Sequence, residues 1–290
     1  MKTVLKAEVI DGIRTLSVDS QHPIDKAIPE INHVDAFLAS QMPQELKEQI
    51  LQIPSELNIY LSAIFEVMLY TKKSFAELID LVKVEVPVER DWNSVHPDPD
   101  DQESLDDFYK KTEAFIYDGM ANHTSPPTMA TLGEVVRICL HFGLKEMLDW
   151  GAGVGTLTIL LNKYGIQTHH VDLPGKTLEF ARWRYRLRAM DVNVIPLPHL
   201  FTTESVDGIV CLEVVEHVKE PVEMLKKLHR IIRPGGILIC SESCAQLEYS
   251  SHLKTNASFS GEAFIEKMNQ IGFQLIPEFS RFYPKTYQRI

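Results

Sequence analysis

The stretch Glu146-Met-Leu-Asp-Trp-Gly-Ala-Gly-Val-Gly-Thr-Leu-Thr-Ile-Leu-Leu161 is the strongest indication of fold class in this chain. Its first part, 147–150, is a short run of the length that a buried strand needs. Glycines follow at every second position, 151, 153 and 155, and a helical apolar pattern begins at Leu157. A strand, a glycine turn and a helix form the first unit of an open α/β sheet, and the glycines leave room for a ligand against the main chain.

The glycine spacing and two acids narrow the kind of ligand. Dinucleotide folds favour G-x-G-x-x-G, whereas this turn reads G-x-G-x-G, with Thr156 at the place of the third dinucleotide glycine. Asp149, just before the glycines, would repel a pyrophosphate but could pair with a cationic amino group. Asp172 ends the second predicted strand, where a carboxylate can accept hydrogen bonds from ribose hydroxyls. The alternative for both acids is helix capping or turn formation.

Four motifs in order resemble the class I S-adenosylmethionine-dependent methyltransferases of the small-molecule type. The resemblance covers roughly residues 130–290 and says little about the first 120. Its motifs are Leu-Asp-Trp-Gly-Ala-Gly-Val-Gly-Thr (148–156), Val-Asp-Leu-Pro (171–174), Val-Asp-Gly-Ile-Val-Cys-Leu-Glu-Val-Val-Glu-His-Val (206–218) and Leu-His-Arg-Ile-Ile-Arg-Pro-Gly-Gly-Ile-Leu-Ile (228–239).

The resemblance implies an α/β fold, with a Rossmann-like seven-stranded, mostly parallel sheet and a closing antiparallel strand. It also implies S-adenosylmethionine as cofactor, with Asp172 on the ribose and Leu173 on the adenine. Relatives often carry an acid for the adenine amino group after the next strand, but 193–200 has none, which leaves this contact to the backbone. The residues expected at the cofactor are Asp149, Trp150, Gly151, Ala152, Gly153, Gly155, Asp172, Leu173, Pro174, Cys211 and Leu212.

Strand and helix patterns alternate from residue 146 onward, which predicts a parallel sheet covered on both faces. The end of the chain, 273–279 and 282–290, lacks a helix between its strands and predicts a closing hairpin. The predicted strands lie near 146–150, 167–172, 192–195, 207–212 and 236–241. The predicted helices lie near 155–164, 176–190, 219–231 and 260–270.

The front of the chain predicts a mainly helical extension that opens with a β-hairpin around Asp11-Gly12. We assign 1–125 to an N-terminal substrate or cap domain, and 126–290 to the cofactor domain. Tyr117, Asp118 and His123 are the residues expected to line a substrate pocket. Helical patterns occur at 31–40, 43–52, 55–71, 74–84, 104–120 and 128–142, and a proline- and aspartate-rich loop is predicted at 86–101.

The formal net charge is −11, and the negative excess lies in the first 120 residues. An acidic front half is a poor match for a nucleic-acid backbone, so nucleic acid is not the expected partner. Arginines at 182, 184, 186 and 188 lie in a predicted helix, where residues two apart do not share a face. A solvated helix with salt bridges is the favoured interpretation of this stripe over an RNA contact.

The remaining composition predicts a cytoplasmic protein without a membrane helix. No run reaches the roughly 18 apolar residues of a membrane span, and the charged start is unlike a secretory signal. The four cysteines, Cys139, Cys211, Cys240 and Cys244, are not in zinc spacing and are expected to be reduced thiols.

His217 is the leading candidate for a general base, because it follows the fourth sheet strand and histidine titrates near neutrality. The alternative is a structural histidine at a helix start. If Glu213, Glu216 and His217 were helical, they would project from one face and could hold a divalent metal such as magnesium. Their Glu-x-x-Glu-His pattern resembles metal-binding motifs in ubiquinone-biosynthesis O-methyltransferases and small-RNA 2′-O-methyltransferases. A bound metal and its absence both stay open here.

The expected function is therefore methyl transfer from S-adenosylmethionine to an oxygen or nitrogen of a small molecule. The alternatives are an RNA or protein methyltransferase, and a non-catalytic cofactor-binding subunit with a protein partner. A nicotinamide enzyme is a further rival, although no Tyr-x-x-x-Lys occurs. A homodimer is left open.

Overall fold

The structure, a computed structural model, describes the larger part of the chain. The described residues are 4–10, 13–19, 61–74, 76–78, 87–122, 126–246, 248–281 and 283–290. The chain divides into two compact units. One contains Met1–Pro87 and Ala114–Arg137, and the other contains Val88–Glu113 and Ile138–Ile290.

The second unit therefore includes Val88–Glu113, which the sequence analysis assigned to the front domain. The domain boundary expected between residues 125 and 126 stays a prediction.

In chain order the helices are α1 (Leu61–Thr71), α2 (Pro87–Val95), α3 (Gln102–Lys111), α4 (Ala114–Asn122), α5 (Pro126–His141), α6 (Thr156–Lys163), α7 (Lys176–Leu187), α8 (Pro221–Ile231) and α9 (Gly261–Ile271). The strands are β1 (Val4–Ile10), β2 (Ile13–Asp19), β3 (Glu146–Trp150), β4 (Gln167–Asp172), β5 (Val194–Pro196), β6 (Val206–Cys211), β7 (Ile232–Cys240), β8 (Phe273–Leu275) and β9 (Lys285–Arg289).

The first unit opens with the predicted hairpin, in which β1 and β2 pair antiparallel and Ile10 lies opposite Ile13. Its turn residues, and the helices predicted at 31–40 and 43–52, lie outside the described residues. Helix α1 falls within the helix predicted over 55–71, and α1 packs against α4 in the same unit.

The second unit contains a seven-stranded sheet in the order β5-β4-β3-β6-β7-β9-β8. The pairings among β3 to β7 are parallel, and β9 is antiparallel to both of its neighbours, β7 and β8. The predicted mostly parallel sheet with one reversed closing strand is confirmed. Because parallel strands end at the same edge, the residues after β3, β4, β6 and β7 meet at one side of the sheet.

Apolar side chains of the sheet and of α8 and α9 form one core. Strand β3 contributes Leu148 and Trp150 to it, and α8 contributes Leu225 and Leu228, all of them buried. Four consecutive residues of β3, 147–150, are buried, so this strand is covered on both faces, which explains its apolar run. Among the described residues, the structure has no helix with the length and apolar character to cross a membrane.

The loop predicted over 86–101 is wrong for its first half, because α2 occupies Pro87–Val95. Proline at the first helical position lacks only an N–H that the helix would not use, so it starts this helix rather than preventing it. Val88 and Trp92, four residues apart, are buried, which gives α2 an apolar face.

The single helix predicted over 104–120 is two helices. Helix α3 begins after Asp101, whose side chain accepts a hydrogen bond from the Glu103 N–H at 3.1 Å. It ends at Thr112, which is extended with φ −69° and ψ 143°. An N-cap aspartate and an extended residue are the ordinary limits of a helix, and the apolar pattern alone did not reveal the break.

Candidate functional site

The glycine turn after β3 depends on glycine at three positions. Gly151, Gly153 and Gly155 have φ of 71°, 53° and 76°, in the left-handed region that side chains rarely adopt. A Cβ at Gly151 would overlap Val214, and one at Gly155 would overlap the Tyr185 hydroxyl, whereas one at Gly153 would meet nothing within 4 Å. Gly151 and Gly155 therefore let the turn pack closely against neighbouring side chains. Gly153 faces the open space that a cofactor lying on the main chain requires.

Asp172, at the end of β4, is tied to this turn. Its Oδ2 accepts a hydrogen bond from the Gly153 N–H at 2.6 Å, and its Oδ1 accepts one from the Leu173 N–H at 2.6 Å. Burial raises the pKa of Asp172 to about 6, although both hydrogen bonds oppose the rise. The carboxylate keeps further lone pairs, so it can still accept hydroxyl donors from a ligand.

Asp149 lies on β3, directly before Trp150 and the turn. It is buried and accepts a hydrogen bond from the Thr158 hydroxyl of α6 at 2.7 Å. Burial raises its pKa to about 7, the Thr158 hydrogen bond opposes the rise, and nearby Asp172 adds to it. Asp149 is buried and Asp172 is partly buried, and two acids with raised pKa values beside a glycine turn make this edge of the sheet suited to a cationic ligand.

Helix α7 supports the turn from behind. Arg184 is buried, and its Nη1 donates to the Val154 carbonyl at 2.6 Å and to Thr156 Oγ1 at 2.9 Å. Arg184 belongs to the arginine stripe that was expected to lie on a solvated helix face, and this expectation is wrong for Arg184. Spacing alone did not distinguish it from the exposed Arg182 and Arg186.

The end of β6 and the segment after it carry five of the predicted site residues, and Cys211, Leu212 and Glu213 come first. Cys211 ends the strand buried and lies opposite Cys240 of β7, and Leu212 follows it partly buried. Glu213 is exposed and has φ 52°. Its Oε1 and Oε2 accept hydrogen bonds from the hydroxyls of Ser241 and Ser243, each at 2.9 Å.

Glu216 and His217 follow in a 3-10 turn, Val215–His217, to which Glu213 does not belong. The structure groups these two residues with His252, and one ligand atom from each lies within 4.8 Å of the others. Glu216 is fully buried, and among the described residues no side chain bonds its carboxylate oxygens; only the backbone N–H groups of Glu216 and Ser243 lie near enough to lower its pKa. His252 was missed by the sequence analysis because nothing in its local sequence distinguishes it.

The protonation of this group follows from its surroundings. Burial, and next the negative charge of Glu213, raise the pKa of Glu216 to about 8. Desolvation lowers the pKa of His217 to about 4, so its imidazole is neutral at pH 7. A neutral imidazole and an unpartnered buried carboxyl are a donor set that fits a divalent cation.

The residues predicted to line a substrate pocket belong elsewhere in the chain. Tyr117 and Asp118 lie on α4 in the first unit, with Tyr117 buried and Asp118 partly buried. His123 lies outside the described residues. Their role therefore stays a prediction.

The chain is similar to known proteins around this site. The family described as "Methyltransferase domain" matches residues 148–240. A ubiquinone biosynthesis O-methyltransferase of Idiomarina loihiensis is 33% identical over 101 residues, which are 33% of this chain and 42% of the relative. One of Coxiella burnetii is 31% identical over 100 residues, which are 33% of this chain and 43% of the relative. The matched part thus spans less than half the length of either relative.

Solved structures show weaker likeness. A Pyrococcus horikoshii protein is 18% identical and covers 57% of this chain and 90% of its own, with a TM-score of 0.46. A Haemonchus contortus phosphoethanolamine N-methyltransferase 2, solved with S-adenosyl-L-methionine, is 20% identical and covers 49% of this chain and 36% of its own, with a TM-score of 0.40.

The matched residues contain the glycine turn and the acid at the end of β4, and the sheet is built in and around them. Together with the curated relatives, they confirm the resemblance found in the sequence. Residues 148–240 match the methyltransferase domain family, and the sheet order, the glycine turn and the curated relatives together indicate a class I S-adenosylmethionine-dependent methyltransferase domain.

Proposed function

We propose that the protein transfers a methyl group from S-adenosylmethionine to an oxygen or nitrogen of a small-molecule acceptor. The observation that carries this proposal is the glycine turn joined to Asp172, with Gly153 facing open space and its N–H bonded to the Asp172 carboxylate. The names of the curated relatives favour oxygen as the methylated atom. A cytoplasmic location and a possible dimer stay predictions.

The proposed cofactor contacts follow the order of the chain. Gly151, Gly153 and Gly155 would pass beside the methionine part, and Asp172 would accept the ribose hydroxyls. Asp149 would act through the turn, because its carboxyl group is buried and hydrogen-bonded to Thr158. The other expected contacts are Trp150, Ala152, Leu173, Pro174, Cys211 and Leu212.

Bound S-adenosylmethionine supplies the transferable methyl group, and the protein's own part is to orient and desolvate the acceptor. A pKa near 4 makes His217 a weak proton acceptor at neutral pH. We therefore favour a cation-binding role for His217 over that of a general base.

Glu216, His217 and His252 would hold a divalent cation such as magnesium, and a cation there would lower the pKa of an acceptor hydroxyl. Glu213 would contribute only after its carboxylate left the hydroxyls of Ser241 and Ser243. The support for the cation is the unpartnered carboxyl group of Glu216, which is otherwise unusual for a buried polar group.

Incubation with S-adenosylmethionine and a panel of phenols, catechols and amines tests the proposal. We expect methylated product and S-adenosylhomocysteine, detected by mass spectrometry, from at least one class. Cofactor binding without turnover across the panel would instead support a non-catalytic subunit. Turnover that survives a chelator unchanged would remove the cation but leave the methyltransferase.

A further inference from the structure

One nitrogen of His217 has two close polar neighbours. Nδ1 lies 2.9 Å from the Ser251 carbonyl oxygen and 3.1 Å from the Tyr109 hydroxyl. A carbonyl oxygen only accepts hydrogen bonds, so the shorter contact is a hydrogen bond only when Nδ1 carries the proton. A neutral ring protonated at Nδ1 has its lone pair on Nε2.

The ring of His217 is also fixed by its aromatic neighbours. Tyr109 packs edge-on against it, with centroids 5.9 Å apart and planes at 72°. His252 packs edge-on as well, at 5.0 Å and 78°. The Leu253 N–H donates to the Glu216 carbonyl at 2.9 Å, so the segment that supplies the Ser251 carbonyl is held to the Glu216-His217 turn.

Tyr109 comes from helix α3, outside the matched family residues, and its segment is anchored within the second unit. Glu89 of α2 accepts hydrogen bonds from the Ser250 N–H at 3.0 Å through both oxygens, directly beside Ser251. Asp91 of α2 accepts a 2.7 Å hydrogen bond from the Thr112 hydroxyl at the end of α3. These contacts fix Tyr109 and Ser251 relative to each other.

We propose that Tyr109 is a positioning residue of the acceptor site. With the Ser251 carbonyl, it holds His217 in the Nδ1–H tautomer and leaves the Nε2 lone pair for the acceptor or its cation. This inference rests on the proposed function, since it takes His217 to be part of the acceptor site. The hydroxyl of Tyr109 accepts the second branch of the Nδ1–H hydrogen bond, and its ring sets the orientation of the imidazole.

The tautomer is measured directly by nitrogen NMR of protein with ¹⁵N-labelled histidine at neutral pH. The His217 signals are assigned by their loss in His217→Gln. We expect a protonated Nδ1 and an unprotonated Nε2 in the unmodified chain. A protonated Nε2 would overturn the proposal, whatever any Tyr109 variant does.

Tyr109→Phe keeps the ring and removes only the hydroxyl. Tyr283→Phe, at a tyrosine that is 47% exposed, is the matched control. We expect Tyr109→Phe, but not the control, to shift the His217 ring nitrogens and to lower kcat several-fold, with the acceptor KM and the affinity for S-adenosylhomocysteine within twofold of the original. A Tyr109→Phe spectrum identical to that of the control would contradict the role of the hydroxyl.

Failure of this inference is distinguishable from failure of the proposed function. Absence of S-adenosylhomocysteine binding by the unmodified protein would reject the methyltransferase proposal and, with it, the role of Tyr109. Normal binding and turnover with His217 in the Nε2–H tautomer would reject only the role of Tyr109.

Discussion

Asp149 and Asp172 are two acids placed where the chain turns away from the sheet. Each accepts hydrogen bonds, yet burial raises the pKa of both, because few groups compensate for the loss of water. A cationic ligand would supply the missing compensation. Both acids were identified from the sequence, since their positions at strand ends require only the order of strand and turn. The raised pKa values depend on packing that the sequence does not show.

Asp172→Asn tests the role of this carboxylate. The amide keeps one oxygen acceptor but places an NH₂ group toward a donor, either the Gly153 N–H or the Leu173 N–H. We expect affinity for S-adenosylhomocysteine to fall by about tenfold or more, since hydrogen bonds to a charged group contribute about 1.5–3 kcal/mol. Titration calorimetry measures the change. Asp191→Asn, at an exposed aspartate, is the control and should bind as the original does.

The pH dependence of ligand binding follows from the same two acids. The pKa is about 7 for Asp149 and about 6 for Asp172, above the value of about 3.9 for an unfolded aspartate. The folded, ligand-free protein therefore binds the protons of these two carboxyl groups more tightly than the unfolded chain does. This contribution to stability is full below about pH 4 and is lost as the pH rises through about 6 and 7.

S-adenosylmethionine, which carries positive charge, should favour the ionised carboxylates. We expect its affinity to rise between about pH 5.5 and 8. Over the same range, the two acids stabilise the ligand-free protein less, which lowers its melting temperature. Thermal shift measurements with and without ligand at each pH test this. Affinity that is flat or falls over the range would contradict the proposed contacts. Asp149→Asn should weaken the pH dependence.

Among the elements, the turn after β3 is held by its neighbours as well as by its own hydrogen bond from the Gly155 N–H to the Ala152 carbonyl at 2.9 Å. Arg184 of α7 donates hydrogen bonds to the Val154 carbonyl and to the Thr156 hydroxyl of the turn. Tyr185 of α7 packs where a Cβ at Gly155 would lie. The Tyr185 hydroxyl is in turn 2.6 Å from His170 Nδ1 of β4. The sequence predicted the turn and the helices α6 and α7. The residues that support the turn become evident only when α7 is packed on the sheet.

Two glycine substitutions separate folding from binding in this turn. Gly155→Ala should strongly destabilise the protein, because its Cβ overlaps the Tyr185 hydroxyl and its φ is 76°. Gly153→Ala has open space, so it should cost only about 1–2 kcal/mol of backbone strain but should block the ligand. Urea unfolding and calorimetry with S-adenosylhomocysteine measure the two effects. Normal ligand binding by Gly153→Ala would show that no cofactor lies there.

Arg184→Met tests the support from α7. Loss of its hydrogen bonds to Val154 and Thr156 should lower the free energy of unfolding by about 2 kcal/mol and weaken cofactor binding. The matched control is Arg186→Met, on the same helix but exposed, which should change stability by less than about 0.5 kcal/mol. Equal effects of the two variants, measured by urea unfolding, would contradict the supporting role of Arg184.

At the scale of the whole molecule, the sequence predicted the sheet domain well and its surroundings less well. The alternation of strands and helices after residue 146 is local and periodic, so it can be predicted from the sequence alone. Helix α2 was hidden by prolines and aspartates, and the break at Thr112 interrupted no apolar pattern. The grouping of His252 with Glu216 and His217 depends on a loop after β7, and no local spacing brings such distant residues together.

Everything proposed for this domain depends on S-adenosylmethionine binding on the turn after β3. Titration calorimetry of the purified protein with S-adenosylhomocysteine tests it most directly, with NAD as the comparison ligand. We predict saturable binding of S-adenosylhomocysteine at one site per chain and no binding of NAD. Binding of NAD in its place, or no uptake of S-adenosylhomocysteine by the folded protein, would contradict the account.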